Sequence, residues 1–297
     1  MGRWFLTGSQ EAGLMHNVTE SMAGRAAVLQ LWPVSTLETP RVGILRGGYP
    51  EALARPRAAS LWFSSLVQTY LERDVRSISA IGDLATFRRF LALVASRHGQ
   101  ILNKSDLAAP LGMSVPGIGR WLHILELTSQ ILIVPPYFEN LGKRLIKSPK
   151  VYIADSGLAC HLLGIETEAE LKKSPFLGAL FEGFVAAEIA KGQVNAGRRR
   201  ELYYFRDQQG LEVDFILPGR GGRLRLLEAK ATGTVTPRMA GPLQRLGEAL
   251  GKHSGRQRLV ERIVVHQTTR SGSASHALAP GVKAMPWRTF LETEFGR

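Results

Sequence analysis

The order of helical and strand patterns between residues 177 and 266 most constrains what this chain can fold into. A mostly apolar stretch with helical spacing, Leu177–Gly192, precedes three short segments with the pattern of strands. A second helical stretch and a further strand follow, so the elements are typical of a small α/β domain with a mixed sheet. The strands are predicted over Leu202–Phe205, Glu212–Leu217, Arg223–Ala229 and Leu259–His266, and the helices after them over Pro237–Leu250 and Thr289–Phe295.

Residues 98–165 carry a second pattern, in which short helices precede a hairpin. Asn103 or Ser105 can cap a first helix that ends at Gly112, and Ser114 can cap a second helix through Leu127. A strand over Ile131–Pro135 and a returning strand over Arg144–Ile153, interrupted at Ser148-Pro149, come next. This order predicts a winged helix-turn-helix, although helix pairs followed by hairpins also occur as plain scaffolding.

The first hundred residues predict the end of a larger domain followed by helices. Two strands, over Arg3–Ser9 and Ala26–Leu31, are too few for a stable sheet. Helices are predicted over 58–77 and 84–96. The chain is therefore predicted to be a multi-domain α/β (α+β) protein with segments at 1–55, 56–97, 98–165 and 166–297, the last two being the winged helix and the mixed sheet with flanking helices.

Three polar residues in the predicted C-terminal strands can carry chemistry. Asp214 lies within one strand, while Glu228 and Lys230 share one face of the next because side chains alternate along a strand. Glu182 stands in the otherwise apolar helix before them and can add a third carboxylate. Phosphodiester hydrolysis needs oxygen ligands for Mg²⁺ and a cation near the developing charge, which these residues supply. The alternative is that they are ordinary polar residues of half-exposed strands.

The charge of the chain favours a polyanionic partner. Its net charge is +13, which suits nucleic acid, although an Arg-rich genome alone produces the same excess. The candidate phosphate contacts are basic residues of the wing, and Arg120 or His123 on the second helix can approach base edges. An arginine run, 198–200, beside Tyr203 and Tyr204 is a further candidate. The wing residues are Lys143, Arg144, Lys147 and Lys150, for which the alternative is a solvated charged face.

The Glu-bearing helix, the Asp214 strand and the Glu228-x-Lys230 strand resemble the PD-(D/E)xK restriction-endonuclease-like superfamily. The wider sequence resembles a prokaryotic family of predicted AAA+ ATPases whose C-terminal domain of unknown function has that fold. The resemblance implies an ATPase core, a helical lid, a winged helix and an endonuclease-like domain. It covers most of the chain, in RWFLTGSQ, SMAGR, LRGGYPE, TYLERDV, residues 103–127, PPYFENLGKRLIKSPKVYIADSGL, GALFEGFVAAEI, EVDFIL and LLEAK.

The chain departs from that family in its nucleotide motifs. It contains no G-x-x-x-x-G-K-[ST] loop, and no acidic Walker B strand precedes RWFLTGS. We therefore expect no ATP site and no ATP hydrolysis by this chain alone. The resemblance implies a sensor strand tipped by Thr7 or Ser9 and an arginine, Arg25, that acts in trans; in a chain without the nucleotide core these are remnants.

Two further observations bear on location and partners. Cys160 is the single cysteine, so it cannot form an internal disulfide or a cysteine-based zinc site. No apolar run reaches the ~20 residues of a membrane span, so we expect a cytoplasmic protein without a membrane partner. Two hypotheses stay open: an Mg²⁺-dependent nuclease, with Asp214 and Glu228 as metal ligands and Glu182 and Lys230 completing the catalytic set, or a non-catalytic module that binds DNA or a protein partner and regulates an ATPase. A homo-oligomer is a further expectation for the partner.

Overall fold

The computed structural model describes residues 29–71, 84–137, 146–253, 259–268 and 275–296. The predicted class is confirmed, since helices and a mixed sheet make up this part of the chain. The helices are α1 Pro50–Ala54, α2 Ala59–Ser65, α3 Leu84–Ser96, α4 Lys104–Ala108, α5 Val115–Leu127, α6 Ser156–Leu162, α7 Glu168–Lys173, α8 Leu177–Asn195, α9 Gly241–His253 and α10 Trp287–Phe295. The strands are β1 Gln100–Ile101, β2 Ile131–Val134, β3 Lys150–Ile153, β4 Tyr203–Arg206, β5 Glu212–Pro218, β6 Leu224–Lys230, β7 Val260–His266, β8 His276–Ala279 and β9 Val282–Pro286.

Some predicted elements near the N-terminus differ from the structure or lie outside it. Arg3–Ser9, Thr7, Ser9 and Arg25 are outside the described residues, as is the end of the helix predicted over 58–77. Leu29 and Leu31 do not form the predicted strand and are exposed. The described residues supply no strand to pair with them, and an unpaired strand is not stable in water.

A small antiparallel sheet joins the two halves of the region at 98–165. Its strand order is β1-β3-β2, so β3 is paired on both sides. The predicted caps are present: the Asn103 side chain accepts from the Ser105 amide, and the Ser114 hydroxyl accepts from the Gly117 amide. The returning strand is observed over Lys150–Ile153, after the predicted interruption at Ser148-Pro149, where Pro149 lacks an amide for the ladder; Arg144 lies outside the described residues. The elements have the predicted order, and the winged-helix assignment stays a prediction.

The larger sheet has six strands in the order β4-β5-β6-β7-β9-β8. The pairs β6–β7 and β7–β9 are parallel, and the remaining pairs are antiparallel. Apolar side chains on one face pack with α8 and α10, and those on the other face pack with α9. The helices before, between and after these strands thus bury their apolar residues against a single sheet, which fixes where the polar residues of β5 and β6 lie.

Buried hydrogen bonds attach the segment at 34–48 to the rest of the molecule. The backbone amide and hydroxyl of Thr36 both donate to Glu188 Oε2 at 2.7 Å, and the Gly48 amide donates to Asp155 Oδ2 at 2.7 Å. Gly47 has a φ of 64°, and a Cβ there would overlap the Asp155 carboxylate. Glu188 therefore faces this segment. It lies on a different face of α8 from Glu182, as the six-residue spacing predicts.

Candidate functional site

Asp214 and Glu228 come together where the antiparallel pair β5–β6 ends. Phe215 is paired with Leu227, so Asp214 and Glu228 are the next residues of the two strands. The Ala229 amide donates to Asp214 Oδ2 at 2.9 Å, which ties the aspartate to the Glu228–Lys230 segment. The structure therefore places these predicted residues side by side in the interior, with Asp214 and Glu228 each 7% exposed.

Glu228 forms an ion pair with Lys230 but keeps one oxygen free. Lys230 Nζ donates to Glu228 Oε1 at 2.7 Å, whereas Glu228 Oε2 is buried and has no hydrogen-bond partner among the described residues. Burial first, and then the charge of Asp214, raise the pKa of Glu228 to about 8. For Lys230, burial acts to lower the pKa, but the charges of Glu228 and Asp214 outweigh it and the pKa is raised. Glu228 is thus a buried carboxyl next to a second one, an arrangement that favours a proton or a cation.

Glu182 reaches the same cluster from helix α8. Its Oε1 accepts from Lys150 Nζ at 2.8 Å and from the Tyr152 hydroxyl at 2.6 Å. Burial, followed by repulsion from Asp214, raises the pKa of Glu182 to about 7 in spite of the favourable Lys150 charge. All four predicted site residues, Glu182, Asp214, Glu228 and Lys230, consequently belong to one connected group of side chains.

Lys150 lies inside this cluster and not on the surface. Its side chain is 3% exposed, and its Nζ is 2.8 Å from Glu182, 2.6 Å from Glu212 Oε1 and 3.9 Å from Asp214 Oδ1. Burial alone would lower its pKa, but the three carboxylates raise it far above its ordinary value. The prediction that Lys150 contacts phosphate on an exposed wing is therefore wrong, because its charge is already engaged in the interior.

Sequence reasoning missed Tyr152 and Glu212 as members of the cluster. Tyr152 is fully buried beside Glu182, and Glu212 also forms an ion pair with Arg206 at 3.1 Å. One signal was present, since Lys150 and Tyr152 are two residues apart on β3 and therefore share a face. Nothing local in the sequence indicates that this face meets helix α8.

The candidate nucleic-acid contacts are only partly within the described residues. Arg120 and His123 are exposed on α5, and Lys147 is exposed before β3. Lys143 and Arg144 lie outside the described residues. An open groove of about 810 Å³ runs beside α5, and its lining includes Lys104, His123, Glu126, Lys147 and Ser148. Of the arginine run, Arg200 is paired with Glu126 at 3.5 Å.

The fit of a divalent cation depends on Asp214 and Glu228. Among the residues that the structure describes, no group of three or more His, Cys, Asp or Glu side chains is arranged to hold a metal. The pair nevertheless suits a hard cation, because Glu228 Oε2 is a buried oxygen without a partner and Asp214 is adjacent. Mg²⁺ is commonly held by one or two carboxylates together with water and phosphate oxygens. A two-carboxylate site is thus chemically sufficient.

Comparisons with known proteins give two partial matches. Residues 38–169 match the family described as Domain of unknown function (DUF8612), and residues 177–290 match Domain of unknown function (DUF4143). The chain is 35% identical over 241 residues to an uncharacterized protein of Mycobacterium bovis and to one of Mycobacterium tuberculosis. The match covers 78% of this chain and 53% of each relative, so the chain spans about half the length of the curated relatives it matches. No solved structure matches.

Within the part of the chain that the structure describes, no helix is both long and apolar enough to cross a bilayer.

Proposed function

We propose that this chain is a DNA-associated protein whose C-terminal sheet carries a divalent-metal-dependent phosphodiesterase site of the PD-(D/E)xK kind. The observation that carries this proposal is the pair of buried carboxylates, Asp214 and Glu228, beside the Lys230 ammonium, with one Glu228 oxygen that has no hydrogen-bond partner in the described part of the chain. A buried carboxylate pair is costly unless a proton or a cation compensates it. A function that brings a divalent ion to the pair accounts for its presence.

Each residue of the cluster has a definite part in hydrolysis of a phosphodiester. Asp214 and Glu228 would hold Mg²⁺, which when bound polarises a phosphate oxygen and lowers the pKa of a water ligand. Lys230 places a positive charge next to Glu228, where negative charge grows on the phosphate as water adds to phosphorus and the ester oxygen leaves. Glu182 holds Lys150 and Tyr152 in place through Oε1 and so supports the carboxylates from behind.

We further propose that the chain corresponds to the C-terminal part of an AAA+ ATPase and reaches DNA through the segment around α5. The resemblance of the whole sequence to that family supports the first point, and the net charge of +13 supports the second. The open groove between α5 and Lys147 adds exposed Lys104 and His123 to the same side. Such contacts would position the protein on phosphates without selecting a sequence.

A second candidate function is a non-catalytic module that binds DNA or protein and regulates an ATPase. One observation favours it specifically: the Lys150 ammonium compensates Glu182, Glu212 and part of Asp214 without any metal. A site that retained its fold after losing its chemistry would keep such a contact. The two candidates differ in whether metal and substrate are bound productively.

Cleavage of labelled single-stranded and duplex DNA in Mg²⁺ or Mn²⁺ tests the proposal, with Asp214→Asn as the decisive variant. Asparagine can still accept from the Ala229 amide, so this change removes charge and leaves the hydrogen bond. We expect it to reduce cleavage by roughly 100-fold or more, the effect of losing about 3 kcal/mol of transition-state stabilisation. Glu248→Gln, an exposed carboxylate on α9, is the matched control and should retain activity.

Thermal unfolding with and without Mg²⁺ supplies a reading that does not depend on activity. At an Mg²⁺ concentration ten times its Kd, wild type should gain about 1.4 kcal/mol of stability, and Asp214→Asn should gain none. Mg²⁺ stabilisation without cleavage of any DNA would favour the non-catalytic candidate. If the protein shows no cleavage and Mg²⁺ does not stabilise it, the metal-dependent site is refuted.

A further inference from the structure

Lys150 reaches the acidic cluster from a different part of the chain than the residues it contacts. It is the first residue of β3, whereas Glu182 lies on α8 and Glu212 and Asp214 lie on β5. Three carboxylate oxygens surround its Nζ at 2.6, 2.8 and 3.9 Å. Its side chain is 3% exposed and is surrounded by carboxylates, so Lys150 acts as a buried cation of the site.

The backbone and neighbours of Lys150 hold it firmly in this position. β3 is the central strand of the small sheet, and Lys150 is paired with Ile101 on one side and Val134 on the other. The Tyr204 ring lies 5.5 Å from Nζ, and the Tyr204 hydroxyl donates to the carbonyl of Ser148.

The carboxylates of the cluster divide into two sets with Asp214 between them. Glu182 is compensated by Lys150, and Glu212 by Lys150 and Arg206, while among the described residues Glu228 is compensated through Oε1 by Lys230. Asp214 borders both sets, because Oδ1 is 3.9 Å from Lys150 and Oδ2 accepts from the Ala229 amide next to Glu228. In enzymes with two metals, the ions are bridged by such a carboxylate and lie ~3.5–4 Å apart.

We propose that Lys150 is a positioning residue that takes the place of a second divalent ion between Glu182, Glu212 and Asp214, so that the site binds one ion, at Asp214 and Glu228. This inference rests on the metal-dependent site proposed above. Lys150 holds two of the carboxylates, and its single positive charge compensates them whether or not the first ion is bound. Glu228 Oε2, which has no hydrogen-bond partner among the described residues, belongs to the carboxylate that Lys150 does not contact, and the one ion is expected there.

The experiment counts bound Mn²⁺ from the electron paramagnetic resonance of the free ion. Wild type should bind one Mn²⁺, and Lys150→Gln should bind two, because the vacated position leaves Glu182 and Asp214 without the lysine charge beside Glu212, which keeps its ion pair with Arg206. Lys147→Gln, an exposed lysine three residues earlier, is the matched control and should bind one. A Lys150→Gln protein that folds and still binds one ion would overturn the inference, as would two ions in wild type.

The outcomes separate this inference from the proposed function. No ion in wild type but one in Lys150→Gln would refute the site at Asp214 and Glu228 while supporting the role of Lys150. No ion in either protein would overturn both proposals. Where Lys150→Gln alone does not fold, the double variant Lys150→Gln, Glu212→Gln removes one charge of each sign and keeps Glu182 and Asp214. It should also bind two ions, and one ion would contradict the inference.

Discussion

Replacing Glu228 by glutamine should change how the stability of the protein depends on pH. Burial and the charge of Asp214 raise the pKa of Glu228 from 4.5 to about 8. A carboxyl whose pKa is higher in the folded protein contributes stability that is present below its unfolded pKa and is lost as the pH rises through its folded pKa. At pH 6 the folded protein therefore holds about one proton that the unfolded chain has released, and at pH 8 about half of one, so stability falls by about 1.4 kcal/mol per pH unit near pH 6 and by about half of that near pH 8.

Glutamine cannot titrate, so wild type should lose about 2 kcal/mol more than Glu228→Gln between pH 6 and pH 8. This corresponds to a difference in Tm of roughly 3 °C for a chain of this size. Thermal unfolding followed by circular dichroism in EDTA measures it, and the exposed control Glu248→Gln should follow wild type. The buried His98 lies outside the cluster, titrates alike in all three proteins and is removed by the comparison. Parallel curves for wild type and Glu228→Gln would show that folded Glu228 is ionised throughout this range and that the reasoning is wrong.

Two other predictions concern packing and DNA binding. Gly183→Ala should destabilise the protein by about 1–3 kcal/mol, because a Cβ there would overlap His98 Nε2. Gly178→Ala, on the same helix but with open space around it, should be neutral or slightly stabilising. Urea unfolding measures both changes. Equal midpoints for the two variants would contradict this packing. Binding to duplex DNA should weaken with salt and show little sequence preference, and neutralising Lys143 and Arg144 together should reduce the logarithmic salt slope by roughly two. A Lys172→Gln, Lys173→Gln protein is the control. If the salt slope is the same in both proteins, the DNA contacts lie elsewhere.

Local patterns predicted the strands of the larger sheet to within one or two residues because each has a clear apolar alternation and defined turns. β5 was predicted over Glu212–Leu217 and occurs over Glu212–Pro218. The same alternation predicted that Glu228 and Lys230 share a face. By contrast, β8 and β9 were not predicted, since His276–Ala279 is short and has little β-branched character.

The misassignment of Lys150 shows where local reasoning ends. Lys147 and the basic residues before it made the whole stretch resemble an exposed wing. What buries Lys150 is its contact with Glu182, 32 residues later in the chain, and with Glu212 and Asp214 beyond that. No spacing rule relates residues on a strand of one sheet to a helix and a strand of another, so only the tertiary structure reveals this contact.

The cluster also bears on the division of the chain into units. The two family matches meet between residues 169 and 177, yet one continuous apolar core extends from Val42 to Leu291 across that point. A chain beginning at residue 177 would contain Glu182, Glu212, Asp214 and Glu228 but would lack Lys150 and Tyr152, and so would bury carboxylates without their main cation. Because breaking a buried ion pair from one side is strongly destabilising, the charge balance of the site requires both segments. The chemistry that we propose for residues 177–290 thus depends on a residue from the segment at 38–169.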